Sequence, residues 1–217
     1  MREYASPVGI PWLKNHAKQI TFVVICYGVL SIGRNAFFEC VNLKSVVIAN
    51  SVASIGENAF LGCGKLTSVA IPDSVETVGA GAFFGCGISS IKIPRSVISF
   101  SGNPFAECHN LTVINTSENS NFVLVDGVLM DKEKTQIISC TLYKSKKYDI
   151  PNTVEKILPN AFRGCNRLVS VTIPNSVTSI GWSAFLGCTA LTTATVPASV
   201  KSIGHHAFDK CSNLRTD

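Results

Sequence analysis

The amino-acid sequence predicts a β-rich solenoid, in which a structural unit of about 23 residues repeats along one axis. Three observations lead to this fold class: the spacing of the cysteines, a motif that recurs in one register, and a high content of β-branched residues. The cysteines are spaced by 23, 23 and 22 residues in a first run and by 23 and 23 in a second: Cys40, Cys63, Cys86 and Cys108, then Cys165, Cys188 and Cys211. A fixed period of this length is the signature of repeat architectures.

The composition favours strands and a large core. Ile and Val number 19 and 22 against 14 Leu, and β-branched side chains pack well in strands. Only 15% of the residues are charged, and the net charge of +5 is spread over the chain without a long basic run. These values argue against disorder and against a nucleic-acid partner.

The motif reads L-x-S-V-x-I-P-x-S-V-x-S-I-G-x-x-A-F-x-G-C, and each part of it predicts one element. The S-V-x-I segment alternates small polar and β-branched residues, which predicts a strand with one buried face. Proline ends that strand, and a second short extended stretch ends at a corner glycine that relieves a tight bend. The A-F-x-x-C segment is compatible with a single helical turn. Each unit therefore closes one coil, and stacked coils share a continuous core.

Two ladders of side chains are predicted inside the array, with one member per coil. The phenylalanines are expected to be buried and stacked in one file: Phe37, Phe60, Phe83, Phe105, Phe162, Phe185 and Phe208. The periodic cysteines are expected to be buried thiols, because parallel Cβ vectors in neighbouring coils oppose the disulfide torsion. Cys26 and Cys140 lie outside this register and are expected to be the more exposed thiols.

The unit IPNSVTSIGWSAFLGC, from Ile173 to Cys188, resembles the consensus of the BspA-like leucine-rich repeats (LRR_5 type), and the resemblance covers about Ile20 to Leu214. It implies a leucine-rich-repeat solenoid: a β-rich α/β right-handed superhelix of about eight coils with a parallel sheet on one face. It further implies a cell-surface or secreted protein with a role in adhesion or protein recognition.

The chain is expected to hold an N-terminal extension at residues 1–19 that covers the first coil's edge, and a single solenoid at residues 20–217. The apolar run from Ile20 to Leu30 fits the strand register better than a signal peptide, and eleven residues are too few to span a bilayer. No membrane span is therefore expected.

An irregular insertion is predicted at about residues 119–147, because 57 residues separate Phe105 from Phe162, which is two units plus 11. Asp126-Gly127 predicts a hairpin turn within it. We interpret the insertion as a variant coil rather than a second domain. Two interpretations stay open: it carries the specificity of the protein, or it continues the core. It mixes lysine and aromatic residues: Phe122, Lys132, Lys134, Tyr143, Lys144, Lys146, Lys147 and Tyr148.

Candidate partner-binding residues lie in two places. The outward strand positions carry small hydroxyl groups and one lysine: Ser45, Ser68, Ser90, Lys92, Ser170, Thr172, Thr193 and Thr195. The basic cluster of the insertion consists of Tyr143, Lys144, Lys146, Lys147 and Tyr148. The alternative for both is an ordinary solvated surface.

No catalytic, cofactor-binding or metal-binding constellation is visible in the sequence. His205-His206 has no further ligands at a suitable spacing and is expected to be a solvated corner, and the hydrolase, P-loop and zinc-protease motifs do not occur. We expect a non-enzymatic interaction or adhesion module that binds a protein, such as a host extracellular-matrix protein, or a glycan. The alternatives are an architectural spacer within a larger surface protein and an enzyme whose site the sequence does not reveal. The sequence does not determine the partner or the oligomeric state.

Overall fold

The structure is a computed structural model and describes residues 16–141 and 146–215. The chain divides into two compact units, Met1–Asn121 and Phe122–Asp217. Most of the predicted N-terminal extension, including its capping role, lies outside the described residues.

Unit 1 consists of short strands joined by tight turns, after a 3-10 helix at Ala17–Gln19. Its strands are β1 (Phe22–Ile25), β2 (Ser31–Ile32), β3 (Ser45–Ile48), β4 (Ser54–Ile55), β5 (Thr77–Val78), β6 (Ser90–Lys92), β7 (Ser99–Phe100) and β8 (Val113–Asn115). They form three parallel sheets, ordered β1-β3, β2-β4-β5-β7 and β6-β8. The register confirms the repeat, since Ser54 pairs with Ser31 of the preceding coil and with Thr77 of the following one.

Unit 2 begins with the predicted hairpin and continues with regular coils. Its strands are β9 (Phe122–Val125), β10 (Val128–Asp131), β11 (Gln136–Cys140), β12 (Lys147–Asp149), β13 (Lys156–Ile157), β14 (Ser170–Thr172), β15 (Ser179–Ile180), β16 (Thr193–Thr195) and β17 (Ser202–Ile203). A six-stranded sheet has the order β17-β15-β13-β11-β10-β9, and a three-stranded parallel sheet has the order β12-β14-β16.

The insertion forms an antiparallel meander. Strands β9 and β10 pair antiparallel around Asp126-Gly127, and β10 pairs antiparallel with β11. Asp126 and Gly127 have φ values of 48° and 78°, as a primed hairpin turn requires. The predicted turn is confirmed. Phe122, one of the aromatic residues of the insertion, is buried and belongs to the core.

The predicted fold class is confirmed: the chain is a β-solenoid of about eight turns with parallel sheets. Each unit contains a file of stacked phenylalanines. In unit 1 the ring centroids of Phe37, Phe60, Phe83 and Phe105 follow one another at 5.2, 5.5 and 6.0 Å. In unit 2 the spacings along Phe162, Phe185 and Phe208 are 4.8 and 5.1 Å.

Four corner glycines are required by a close approach of backbones rather than by the predicted bend: Gly56, Gly79, Gly181 and Gly204. A Cβ atom at Gly79 would overlap the backbone nitrogen of Glu57 and the carbonyl carbon of Gly56 in the preceding coil. Positive φ occurs instead at two other columns of the turn: Asn35, Asn58, Gly81, Asn160, Ser183 and His206, then Glu39, Gly62, Gly85, Glu107, Gly164, Gly187 and Lys210. The first column lies two residues after the corner, and the second directly precedes the ladder cysteine.

Candidate functional site

The outward side of the β12-β14-β16 sheet in unit 2 brings together residues from both predicted binding regions. Strand pairing aligns Lys147 with Ser170 and Thr193, and Asp149 with Thr172 and Thr195. Five of these side chains are exposed and Ser170 is half-buried, because alternate residues of a strand point to opposite sides. We call this surface the hydroxyl face, defined as Lys147, Asp149, Ser170, Thr172, Thr193 and Thr195.

The charged end of the hydroxyl face is held by short polar contacts. The hydroxyl of Thr172 donates a hydrogen bond to Oδ1 of Asp149 at 2.7 Å, and Lys147 Nζ lies 3.3 Å from Oδ2 of Asp149. The hydrogen bond from Thr172, and then that from Lys147, lowers the pKa of the Asp149 carboxyl group below its usual value. The carboxylate is therefore ionised and oriented at neutral pH, although the exposed ion pair itself contributes little stability.

Only part of the predicted basic cluster lies on this face. Lys147 is in the sheet, and Lys146 is exposed directly before it. The placement of Tyr148 on the outward surface is wrong. Tyr148 aligns with the inward-facing Val171, and its ring packs against Phe162 at a centroid distance of 5.8 Å. Burial raises the pKa of the Tyr148 phenol. Tyr143 and Lys144 lie outside the described residues.

The outward side of unit 1 is less polar than its predicted residues suggested. Ser68, Ser90 and Lys92 are exposed and Ser45 is half-buried, and Lys92 Nζ forms an ion pair with Glu118 Oε1 at 2.8 Å. Large apolar side chains interrupt these positions, with exposures of 56% for Phe22, 53% for Val24, 52% for Val47 and 52% for Val113. Sequence reasoning missed the exposure of Phe22 and Val24, although their alternation with the inward Val23 and Ile25 was a signal for it.

The cysteine ladder has a bonding role that sequence reasoning did not identify. The Cys86 thiol donates a hydrogen bond to the carbonyl oxygen of Phe60 in the preceding coil, with a distance of 3.2 Å between sulfur and oxygen. The bond links the two ladders across neighbouring coils. The same bond joins Cys63 to Phe37, Cys108 to Phe83, Cys188 to Phe162 and Cys211 to Phe185, at 3.0 to 3.3 Å. Each of these cysteines therefore fixes the turn of the coil before it.

Burial suppresses thiol chemistry at Cys40 and Cys108, whereas Cys211, at the last coil, is half-buried and its pKa is lowered by a hydrogen bond with Cys188. All nine cysteines are present as thiols, and desolvation raises the pKa of Cys40 and of Cys108 to about 12. Cys26 is exposed as expected, but the expectation for Cys140 is wrong: its side chain is 4% exposed, because it ends strand β11 facing the core of unit 2.

His205 and His206 are exposed, and Nδ1 of His206 lies 2.6 Å from Oδ2 of Asp209. Within residues 16–141 and 146–215, no three His, Cys, Asp or Glu side chains gather as a metal site would require. In the same ranges, no helix has the length and hydropathy needed to cross a bilayer.

The family model for the BspA type leucine-rich repeat region matches residues 30–125 and 136–216, in six copies. No curated protein matches the chain significantly. Among solved structures, a leucine-rich repeat protein from Eubacterium ventriosum is 28% identical, with a TM-score of 0.78 over 99% of this chain and 64% of the other. The chain thus spans less than two thirds of that relative's length.

Two further solved structures share the fold. A leucine-rich cell surface protein from Faecalibacterium prausnitzii is 28% identical, with a TM-score of 0.57 over 89% of this chain and 71% of the other. The pneumococcal vaccine antigen PcpA is 19% identical, with a TM-score of 0.69 over 98% of this chain and 64% of the other.

Proposed function

Because this chain belongs to the family of BspA-type leucine-rich repeat proteins, we propose that it is a non-enzymatic protein-interaction module of a cell-surface or secreted protein, and that its hydroxyl face contacts the partner. Repeats of this family are generally protein-interaction modules of bacterial surface proteins and typically not enzymes. The likeness to a cell surface protein at 28% identity supports the location.

The observation that carries the proposal is the fixed register of the hydroxyl face. Six polar side chains stand in two straight columns, one coil apart. Short hydroxyl side chains lose little conformational entropy when a partner covers them, and each both donates and accepts hydrogen bonds. A partner protein can therefore bind to this face with little loss of side-chain conformational entropy. The ionised Asp149 and neighbouring Lys147 add a polar rim that would set orientation.

A binding screen against host extracellular-matrix proteins tests the proposal. The double variant Thr193→Arg/Thr195→Arg adds bulk and charge to two exposed positions of the face. The matched control Ser202→Arg/His205→Arg adds the same charge to exposed positions of the same coil. We expect the first variant to weaken binding at least about tenfold and the control to leave it unchanged, with both unfolding at the wild-type temperature.

Two results would count against this assignment. If no matrix protein binds with a Kd below about 10 μM, the architectural spacer becomes the better account. If both double variants weaken binding equally, the partner contacts another surface.

A further inference from the structure

A groove of about 780 Å³ opens beside the hydroxyl face in unit 2. Ligand sites for small molecules typically have volumes of about 300–1,000 Å³. The groove shares Asp149 and Thr172 with the face and continues along the turns that follow β12 and β14, where the segment Pro-Asn occurs in two successive coils. From this groove we propose that the protein binds a neutral oligosaccharide. The ligand is not a protein, so this inference goes beyond the function proposed above and is tested separately.

The first argument is the hydroxyl of Ser176, which lines the groove. Four equivalent serines donate a hydrogen bond to a valine carbonyl of the preceding coil, at 2.7 to 2.9 Å: Ser51 to Val29, Ser74 to Val52, Ser96 to Val75 and Ser199 to Val177. The equivalent Thr153 donates to the carbonyl oxygen of Lys134 at 2.9 Å. Ser176 departs from this column, because its Oγ is shielded from solvent and has no hydrogen-bond partner among the described residues. An unsatisfied, shielded hydroxyl is unfavourable. Because solvent does not reach Oγ in this conformation, a ligand in the groove relieves the cost only when the Ser176 side chain turns its hydroxyl into the groove.

The second argument is the pair of asparagines at the groove's rim. Asn152 and Asn175 occupy equivalent positions one coil apart, and both are exposed. Each side-chain amide offers two donors and a carbonyl acceptor. In the next coil Ala198 stands at the equivalent position after Pro197, so the pair of amides is particular to this groove and not a general feature of the repeat.

The third argument is the chemistry of the lining as a whole. One carboxylate, two amides and two hydroxyls provide mixed donors and acceptors, as sugar hydroxyls require. An anionic ligand would be repelled by Asp149, and a basic one would meet Lys147, which is 3.3 Å from that carboxylate. An apolar ligand would leave the polar groups without partners. Pro151 and Pro174 add apolar surface on which the C–H faces of a sugar ring can pack.

The test is a printed array of neutral oligosaccharides of glucose, galactose, mannose and N-acetylglucosamine, with sialylated and sulfated oligosaccharides beside them. We expect binding to neutral members, followed by calorimetric titration of the best one. The variant Asn152→Ala/Asn175→Ala should weaken binding at least about tenfold through loss of several hydrogen bonds. It should also keep the wild-type unfolding temperature, because alanine already occupies the equivalent position 198.

The variants Ser176→Ala and Ser74→Ala form a matched pair. Ser176→Ala should weaken oligosaccharide binding several-fold without lowering the unfolding temperature, since the hydroxyl has no partner in the protein. Ser74→Ala should lower the unfolding temperature and leave binding unchanged, because it removes a bond to Val52 outside the groove.

The proposal is overturned if no neutral oligosaccharide binds, or if only charged ones do. It is also overturned if the double asparagine variant binds as the wild type does. Equal loss of thermal stability in Ser176→Ala and Ser74→Ala would show that Ser176 bonds to the backbone like its equivalents, which contradicts its role toward a ligand.

Discussion

Five of the seven ladder cysteines act as hydrogen-bond donors to a phenylalanine carbonyl as well as small apolar side chains. The carbonyl oxygen of Phe60, for example, accepts the backbone N–H of Cys63 in its own coil and, as a second donor, the thiol of Cys86 in the next coil. Alanine would fill similar space but would leave that carbonyl with one contact fewer. This pairing gives a physical reason for cysteine in a column where any small apolar side chain could pack.

Burial of these thiols makes the protein sensitive to alkaline pH. The pKa of Cys40 and that of Cys108 rise from 9.0 to about 12 in the folded state. Between these values the unfolded chain releases protons that the folded chain retains, so the free energy of unfolding should fall as pH rises from 9 toward 12. The slope should approach about 1.4 kcal/mol per pH unit for each such cysteine.

Denaturant unfolding at pH 8, 9, 10 and 11 measures this effect. The double variant Cys40→Ala/Cys108→Ala is the control, and its stability should decline less steeply over the same range. Parallel pH profiles for the two proteins would show that these thiols titrate alike in both states, contrary to the account given for their burial.

At the scale of the element, the corner between the two strands of a coil needs glycine only because the backbone of the preceding coil lies so close to it. Gly79→Ala should therefore destabilise the protein by about 1–3 kcal/mol, because the added methyl group overlaps backbone atoms of Glu57 and Gly56. Gly33 occupies the same column, yet a Cβ atom there meets nothing within 4 Å. Gly33→Ala should leave stability unchanged or raise it by about 0.4–1 kcal/mol, since alanine restricts the unfolded chain.

Chemical denaturation of the two variants separates close approach from backbone conformation. If the corner needed glycine for its dihedral angles, both substitutions would destabilise the protein similarly. Opposite signs would support the steric explanation.

Prediction from the sequence succeeded where the repeat register is regular. The spacing of Phe60 and Cys63, repeated in coil after coil, is enough to place both side chains inside, because equivalent positions of stacked coils share one environment. Prediction failed where the register is interrupted. Cys140 lies in the insertion and Tyr148 directly follows it, so the faces on which their side chains lie follow from the β10-β11 and β12-β14 pairings, which no periodicity reveals.

The sequence also did not predict that the basic cluster and the outward strand positions meet on one face. Lys147 and Ser170 are 23 positions apart, but the insertion hides that they belong to equivalent columns. Only the observed strand pairing places the lysine of one candidate beside the hydroxyl groups of the other. The bonds from five ladder thiols to phenylalanine carbonyls could not be predicted either, since they depend on how the turns of neighbouring coils are oriented.

At the scale of the whole molecule, one repeating unit accounts for most of what the chain does. The inward columns supply the core, the turns supply bonds between coils, and the outward columns are left to vary without cost to stability. Unit 1 uses this freedom for apolar residues such as Phe22 and Val47, whereas unit 2 carries the hydroxyl face. A surface that changes along the chain while the core repeats is what a recognition module requires.

The central claim of this account is that a single register of about 23 residues decides which side chains are inside. Phe83 and Phe84 test it most directly, because they are adjacent and chemically identical while only Phe83 belongs to the ladder. Phe83 is fully buried and stacked between Phe60 and Phe105, whereas Phe84 is half-buried.

The measurement is the free energy of unfolding of Phe83→Ala and of Phe84→Ala in denaturant. Loss of a fully buried ring should cost about 3–5 kcal/mol at position 83, and the change at position 84 should cost less than half as much. An equal or larger loss for Phe84→Ala would contradict the register, and with it the assignment of inward and outward columns on which the proposed binding face depends.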